Sequence, residues 1–209
     1  FLKRKNNKHR TSIIFQNDLD RLYVEKNFQI NLKVNNIPGS GLPEAYLSHP
    51  PINNFKSGKL NIIFCARLLK TKGIKMFIDI ARECPNNKFS IYGEIDKFSN
   101  ESLSRKEVDL FEKQINNIKF FGNCQNPLLN LNKDFFNILI VPSIYGEGLP
   151  RAILEAGSQL IPVISNEIIN KFHLYSDHIY MSKYHTLEGY LREIINIKED
   201  IESGLIFEK

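Results

Sequence analysis

Two glutamates, Glu147 and Glu155, stand with seven residues between them in YGEGLPRAILEAG, residues 145–157. Glu147 sits in a glycine-flanked loop. Glu155 falls in a segment whose Leu149, Ala152, Ile153 and Ala156 recur at helical spacing, which predicts a helix over about 149–159. Its opening, Gly148-Leu149-Pro150, places a proline in the first turn, where the missing N–H would be unpaired in any case. The free amides that follow, from residues such as Arg151 and Ala152, join the helix dipole as a seat for an anion. A carboxylate only accepts hydrogen bonds, and its natural neutral partner is a vicinal diol. The spacing therefore suits a ligand with hydroxyls on both sides of a diphosphate, and a nucleotide-sugar is such a ligand.

Such residues need a scaffold that delivers several loops to one edge. From residue 60 the chain alternates regularly: strand-like LNIIFC (60–65), KFSIY (88–92), IKFF (118–121), NILIV (137–141) and IPVI (161–164). Between them lie helical patterns in IKMFIDIARECP, in ESLSRKEVDLFEKQI (101–115), near 127–133 and over 149–159. This rhythm predicts an α/β fold, a Rossmann-like parallel sheet with right-handed crossovers and helices on both faces. Ligands of such sheets bind beyond the carboxyl ends of the strands. The unusual residues follow those ends: Arg67 to Lys72, Gly93-Glu94, Gly122, and Ser143 to Glu147. Arg67 and Lys72 add two positive charges beside the anion seat.

Taken singly, each feature has a plainer reading. Arg151 and Glu155 are i and i+4, so a surface ion pair worth ~0.3 kcal/mol would account for them. Glu147 alone is a loop carboxylate, RLLKTKG alone an exposed basic loop, and the glycines alone are turns. The functional reading rests on their meeting at one rim.

The first 59 residues differ. FLKRKNNKHR carries six basic-type residues, counting His9, with little apolar content. TSIIFQ (11–16) and LKVNNIP (32–38) are expected strands around a helix at 18–28, and GSGLPEAYLSHPP reads as a connector. The expected division is thus 1–59, a remnant of a preceding domain with its connector, and 60–209, a nucleotide-sugar-binding domain. After about 165 the periodicity weakens, apart from a helix in HTLEGYLREIINI (185–197).

With 209 residues, 42% apolar and 24% charged, the chain has globular composition and can bury a sizeable core. A net charge of +5 suits a nucleotide, another phosphate-rich ligand or an anionic membrane surface, and selects none of them. Nucleic acid is not expected as a partner, because aromatics do not interleave with the basic run. Cys65, Cys84 and Cys124 are scattered, which argues for reduced thiols and a cytoplasmic setting. The five histidines show no metal spacing, and no metal site is expected. No apolar run reaches membrane-spanning length and no signal peptide is expected, while the start at Phe1 suggests a fragment.

Taken together these residues resemble the C-terminal, donor-binding part of bacterial family 4 glycosyltransferases of the GT-B fold. The resemblance runs through FQNDLDR (15–21), IPGSG (37–41), ARLLKTKG (66–73), FSIYGEID (89–96), IKFFGN (118–123) and VPSIYGEGLPRAILEAGSQLIPVIS (141–165). It is strongest with members that build capsule, O-antigen or other lipid-linked glycans. It implies retaining transfer from a nucleotide-diphosphate sugar, with a UDP-sugar expected, to a glycan or lipid-linked acceptor, with no cofactor and no metal. By the resemblance Arg67 and Lys72 hold the diphosphate, Glu147 contacts donor-sugar hydroxyls, and the amides of Gly148, Leu149 and Arg151 face the sugar or β-phosphate. Glu155 would bind the ribose diol, with the loops after Gly93 and Gly122 near the base. The acceptor-binding N-terminal domain of such enzymes is not in this sequence. Two further readings are a non-catalytic nucleotide-sugar-binding or scaffold subunit and an epimerase of the same architecture; the Glu147/Glu155 spacing speaks against the epimerase. Where the family usually has glycine after the Glu155 helix this chain has Leu160, and a left-handed cap there is expected to be strained. The basic start is expected to suit the inner face of a plasma membrane.

Overall fold

The computed structural model describes residues 13–16, 18–28, 34–37, 41–52, 58–144, 148–167, 179–182 and 184–205. The basic start, residues 1–10, lies outside them, as do Gly146 and Glu147.

The apolar runs form one six-stranded parallel sheet. It contains β3 (Leu60–Cys65), β4 (Lys88–Tyr92), β5 (Ile118–Gly122), β6 (Phe136–Ile140), β7 (Val163–Asn166) and β8 (Ile179–Ser182), in the order β5-β4-β3-β6-β7-β8. The central β3 is flanked by β4 and β6, so the chain order reverses direction across that pair. Strand β8 was not legible: four residues beyond a stretch of weak periodicity carry too little pattern to stand out.

Alternation along the strands splits the interior in two. Leu60, Ile62, Phe64, Ile91 and Ile138 point to one face, where α3 (Ile74–Glu83), α4 (Arg105–Gln114) and α6 (Leu187–Ser203) cover them. Phe64, Phe77 and Phe89 meet there with ring centroids 5.4 Å apart in tilted and edge contacts. Ile63, Leu139 and Val163 face the other way, onto α5 (Arg151–Ser158). Each such fully buried aliphatic side chain contributes roughly 1.5–3 kcal/mol.

A buried polar ladder crosses three strands on the α5 face. Asn61 Nδ2 donates to Asn137 Oδ1 at 2.8 Å, and Ser90 Oγ donates to Asn61 Oδ1 at 2.7 Å. A one-residue slip would strip these groups of partners inside the core, so the ladder holds the strand register.

Several boundaries differ from expectation for local reasons. Helix α4 starts at Arg105, not near 101, because Ser104 forms a capping box with Glu107: the Glu107 N–H donates to Ser104 Oγ, and the Ser104 N–H to the Glu107 carboxylate. That second bond holds the Glu107 carboxyl below its ordinary range. The helix expected near 127–133 is a single 3-10 turn, Pro127–Leu129. Pro150 is the residue before α5 rather than part of its first turn. Helix α6 runs on to Ser203 and stops at Gly204 in the left-handed conformation, φ 78°.

The first segment forms its own small unit, β1 (Ile13–Phe15) and β2 (Val34–Asn36) paired in parallel around α1 (Asp18–Phe28). The expected connector is partly helical: α2 (Glu44–Ser48) buries Tyr46, which joins Ile52 in the core cluster beneath α5. As expected, Leu160 takes a left-handed φ of 53°, at the end of α5.

Candidate functional site

The carboxyl ends of β3 and β6 are tied together into one rim. After β3, a 3-10 turn at Lys70–Lys72 is ended by Gly73 at φ 79°. A Cβ on Gly73 would run into the backbone carbonyl of Pro142, so only glycine lets the two loops approach this closely. The Ile144 N–H and Ser143 Oγ both donate to the Thr71 carbonyl, at 3.0 and 3.2 Å. At the next strand end the Ala66 N–H donates to Tyr92 O, and the Leu68 N–H to Glu94 O. A Cβ on Gly93 would collide with the Ala66 carbonyl.

Between these loops and the start of α5 lies a cavity of about 290 Å³. Arg67, Lys72, Arg151 and Glu155 all contribute to its walls, with Cys65 and Ser143. Residues far apart in sequence thus meet where an open parallel sheet places its ligands.

The charges in this cavity are unequal in exposure. Arg67 is half-exposed and donates from Nη1 to Asp96 Oδ2 at 2.9 Å. Arg151 is likewise half-exposed, with Nε 2.7 Å from Glu155 Oε1, whereas the Glu155 side chain is only 3% exposed. The i,i+4 pair exists, but it is not a surface pair. The Arg151 contact is a charge contact without aligned hydrogen-bond geometry, and Glu155 Oε1 has no hydrogen-bond partner. Burial raises the Glu155 carboxyl above its ordinary range, opposed by Arg151 and by the Tyr46 hydroxyl. Burial, and then the Glu155 charge, push the Cys65 thiol up to about 12, so it stays protonated and is no nucleophile at neutral pH.

Glu147, the other carboxylate expected at the site, lies outside the described residues. Gly93, Gly122, Gly148 and Leu149 are not in the cavity's lining. The Gly93 N–H donates to Gly122 O at 2.8 Å, which joins the ends of β4 and β5. Leu149 turns its side chain into the core, so a ligand role there falls to its main chain. Gly148 abuts Gln16 from the first unit; a Cβ added to Gly148 would stand 3.1 Å from that of Gln16. The end of β1 therefore reaches the loop before α5.

Two features escaped the sequence reading. Tyr46, from the expected connector, lies against Glu155. Beneath the rim, Asn166 Nδ2 donates to Ser143 O at 2.9 Å and to Tyr190 Oη at 3.0 Å, with His185 Nδ1 3.2 Å away. Burial lowers the His185 pKa, favouring the neutral ring. This network anchors the loop that leads into 145–147, which makes His185 a structural residue. Only its histidine was visible as a signal. Among the described residues no group of three His, Cys, Asp or Glu is placed to hold a metal, and no helix is long and apolar enough to cross a membrane.

The sheet order, the crossover helices and the rim define a Rossmann-like domain of the kind found in GT-B glycosyltransferases. The family described as glycosyl transferases group 1 matches residues 48–175, more than half the chain, and the chain belongs to that family. A comparison with curated proteins finds no match. Solved structures share the fold. A glycosyltransferase from Rickettsia africae aligns with a TM-score of 0.71 at 16% identity, covering 94% of this chain and 55% of its own. Anabaena Alr3699/HepE, solved in complex with UDP, aligns at 0.66 and 16% over 90% of this chain and 54% of its own. WaaG, a glycosyltransferase involved in lipopolysaccharide biosynthesis, aligns at 0.65 and 15% over 92% and 54%. The chain thus spans about half the length of these structures.

Proposed function

We propose that the chain is the donor-binding half of a retaining glycosyltransferase that takes its sugar from a nucleotide-diphosphate donor, with UDP-sugars the first candidates. The observation that carries this reading is the convergence of Arg67, Lys72, Arg151 and the buried Glu155 on one cavity at the start of α5. Family membership and the shared fold with a UDP-bound structure support it.

In this reading the diphosphate sits at the first amides of α5, flanked by Arg67 and Lys72. As the glycosidic bond breaks, charge grows on the departing β-phosphate, and preorganised cations and amides stabilise it without reorganising. Glu155 accepts from the ribose diol, and Glu147 contacts hydroxyls of the donor sugar. The loops after Gly93 and Gly122 lie near the base. A glycan or lipid-linked acceptor would be held by an N-terminal domain across the cleft, in bacterial surface polysaccharide synthesis at the cytoplasmic side of the membrane, where the basic residues 1–10 would meet anionic lipid. A non-catalytic nucleotide-sugar-binding subunit is the second reading. The Arg67–Asp96 ion pair favours it, because that guanidinium is already engaged.

Titration of wild type, Glu155→Gln and Glu147→Gln with UDP, 2′-deoxy-UDP and a UDP-sugar tests the assignment. Glu155→Gln should weaken UDP and the UDP-sugar but leave the 2′-deoxy ligand nearly unchanged. Glu147→Gln should spare UDP affinity and reduce transfer in the two-domain enzyme. Equal losses for both variants on every ligand would remove the assignment.

A further inference from the structure

The segment between the two units carries a residue that reaches the site. Helix α2 packs against α5, and Tyr46 is 1% exposed, among the largest fully buried side chains of the chain. Its ring belongs to the same cluster as Leu149, Ile153 and Ala156 of α5 and its approach. Its hydroxyl lies between the Leu128 main chain and the Glu155 carboxylate, within reach of both. Neither Tyr46 Oη nor Glu155 Oε1 closes a hydrogen bond.

A buried phenol without a hydrogen bond, near a buried carboxylate held by one ion pair, is costly unless another state of the site uses it. The two partners of Glu155 differ in freedom. Arg151 is 56% exposed and can swing away, whereas Glu155, at 3%, cannot leave. An anion at the start of α5 draws the Arg151 guanidinium toward itself and away from the carboxylate. A buried carboxylate deprived of its cation would then stand uncompensated, which is strongly unfavourable. A phenol donates one hydrogen bond, and the Glu155 carboxylate is the charged acceptor beside it.

We infer that Tyr46 is a positioning residue: its hydroxyl donates to Glu155 when Arg151 turns to a bound diphosphate, and holds the carboxylate charged and aimed at the ribose diol. This rests on the donor reading given above and adds to it a residue outside the rim loops. The phenol is kept in its donating form, since burial first and the Glu155 charge next both raise its pKa. Burial raises the Glu155 carboxyl, and Arg151 first and Tyr46 last act against that rise.

The test uses Tyr46→Phe, which keeps the ring and removes only the hydroxyl. UDP affinity should fall roughly three- to tenfold, the scale of one hydrogen bond, while 2′-deoxy-UDP affinity stays as in wild type. In the Glu155→Gln background the same substitution should add nothing, because the two residues act as a unit. With UDP bound, the carboxyl carbon-13 resonance of Glu155 should titrate at higher pH in Tyr46→Phe than in wild type. An unchanged preference for UDP over its 2′-deoxy form, or equal losses on both ligands, would overturn the inference while leaving the donor reading intact. Wild-type protein that binds neither nucleotide would overturn the donor reading, and this role with it.

Discussion

The two ends of the sheet carry cavities of opposite character. At the amino ends of β3, β4 and β5 lies a cavity of about 630 Å³ lined by Lys59, Lys88, Lys119, Glu112 and several asparagines. At the carboxyl ends the cavity is less than half that size, about 290 Å³. In the larger one Lys59, Glu112 and Lys119 are exposed, and Lys88 rests over the Phe135 ring at 5.0 Å. Exposed charges keep their hydration, which screens what they can do for one another. The smaller cavity contains a buried carboxylate, two half-exposed guanidiniums and a helix start. Size does not identify a site. What separates the two ends is whether charge has been taken out of water and aimed at a common point.

The comparison can be broken most sharply at two glycines, one near each end. Gly73→Ala should destabilise the chain by about 2–4 kcal/mol, because it adds both a left-handed alanine and a clash with Pro142. Gly58→Ala, near the amino end of β3 with open space around its would-be Cβ, should stay within about 0.5 kcal/mol. Urea denaturation of both variants measures the difference, and similar losses would mean that the rim loops are not held against each other.

Ligand affinity separates the ends at a smaller scale. Arg67→Ala or Lys72→Ala should weaken UDP binding by ~1–3 kcal/mol, with a far smaller change for uridine. Lys88→Ala should leave both ligands untouched. Calorimetry that shows equal losses at the two ends would make the attraction merely a matter of net charge.

The buried carboxylate also predicts a pH dependence. Glu155 has a raised pKa in the folded chain, so the stability linked to its neutral form is present at low pH and is lost as pH rises through that raised value. Glu155→Gln should therefore be more stable than wild type at neutral pH, and the gap should close as pH falls into the ordinary carboxylate range. A gap that widens on acidification would show that the Arg151 ion pair outweighs burial. The smallest expected effect is at the far end of α5, where Leu160 is 54% exposed and strained at φ 53°. Leu160→Gly should raise stability by about 0.5–1 kcal/mol in thermal unfolding and leave nucleotide binding unchanged.

Much of the scaffold was legible because its signals are local. Leu60–Cys65 and Lys88–Tyr92 are apolar runs of strand length, and Ile74, Phe77, Ile78 and Ala81 repeat at helical spacing. Leu160 stood out only through the family resemblance, whose members usually carry glycine at that position. The grouping of Arg67, Lys72, Arg151 and Glu155 followed from a rule of the parallel sheet, once their strands had been placed.

What the sequence alone determined, then, was the parallel α/β scaffold and the end of it that bears the unusual residues. Only the tertiary structure decided the burial of Glu155, the arrival of Tyr46 beside it, the seating of Gly73 on Pro142 and the hold of Asn166 on Ser143. Periodicity reports which way a side chain points from its own helix or strand, and so predicts backbone form and facing. It carries no record of which distant segment packs against that side chain. Glu155 read as a polar-face residue because its helix neighbours are all that its spacing describes, and α2 closes over it from more than a hundred residues away.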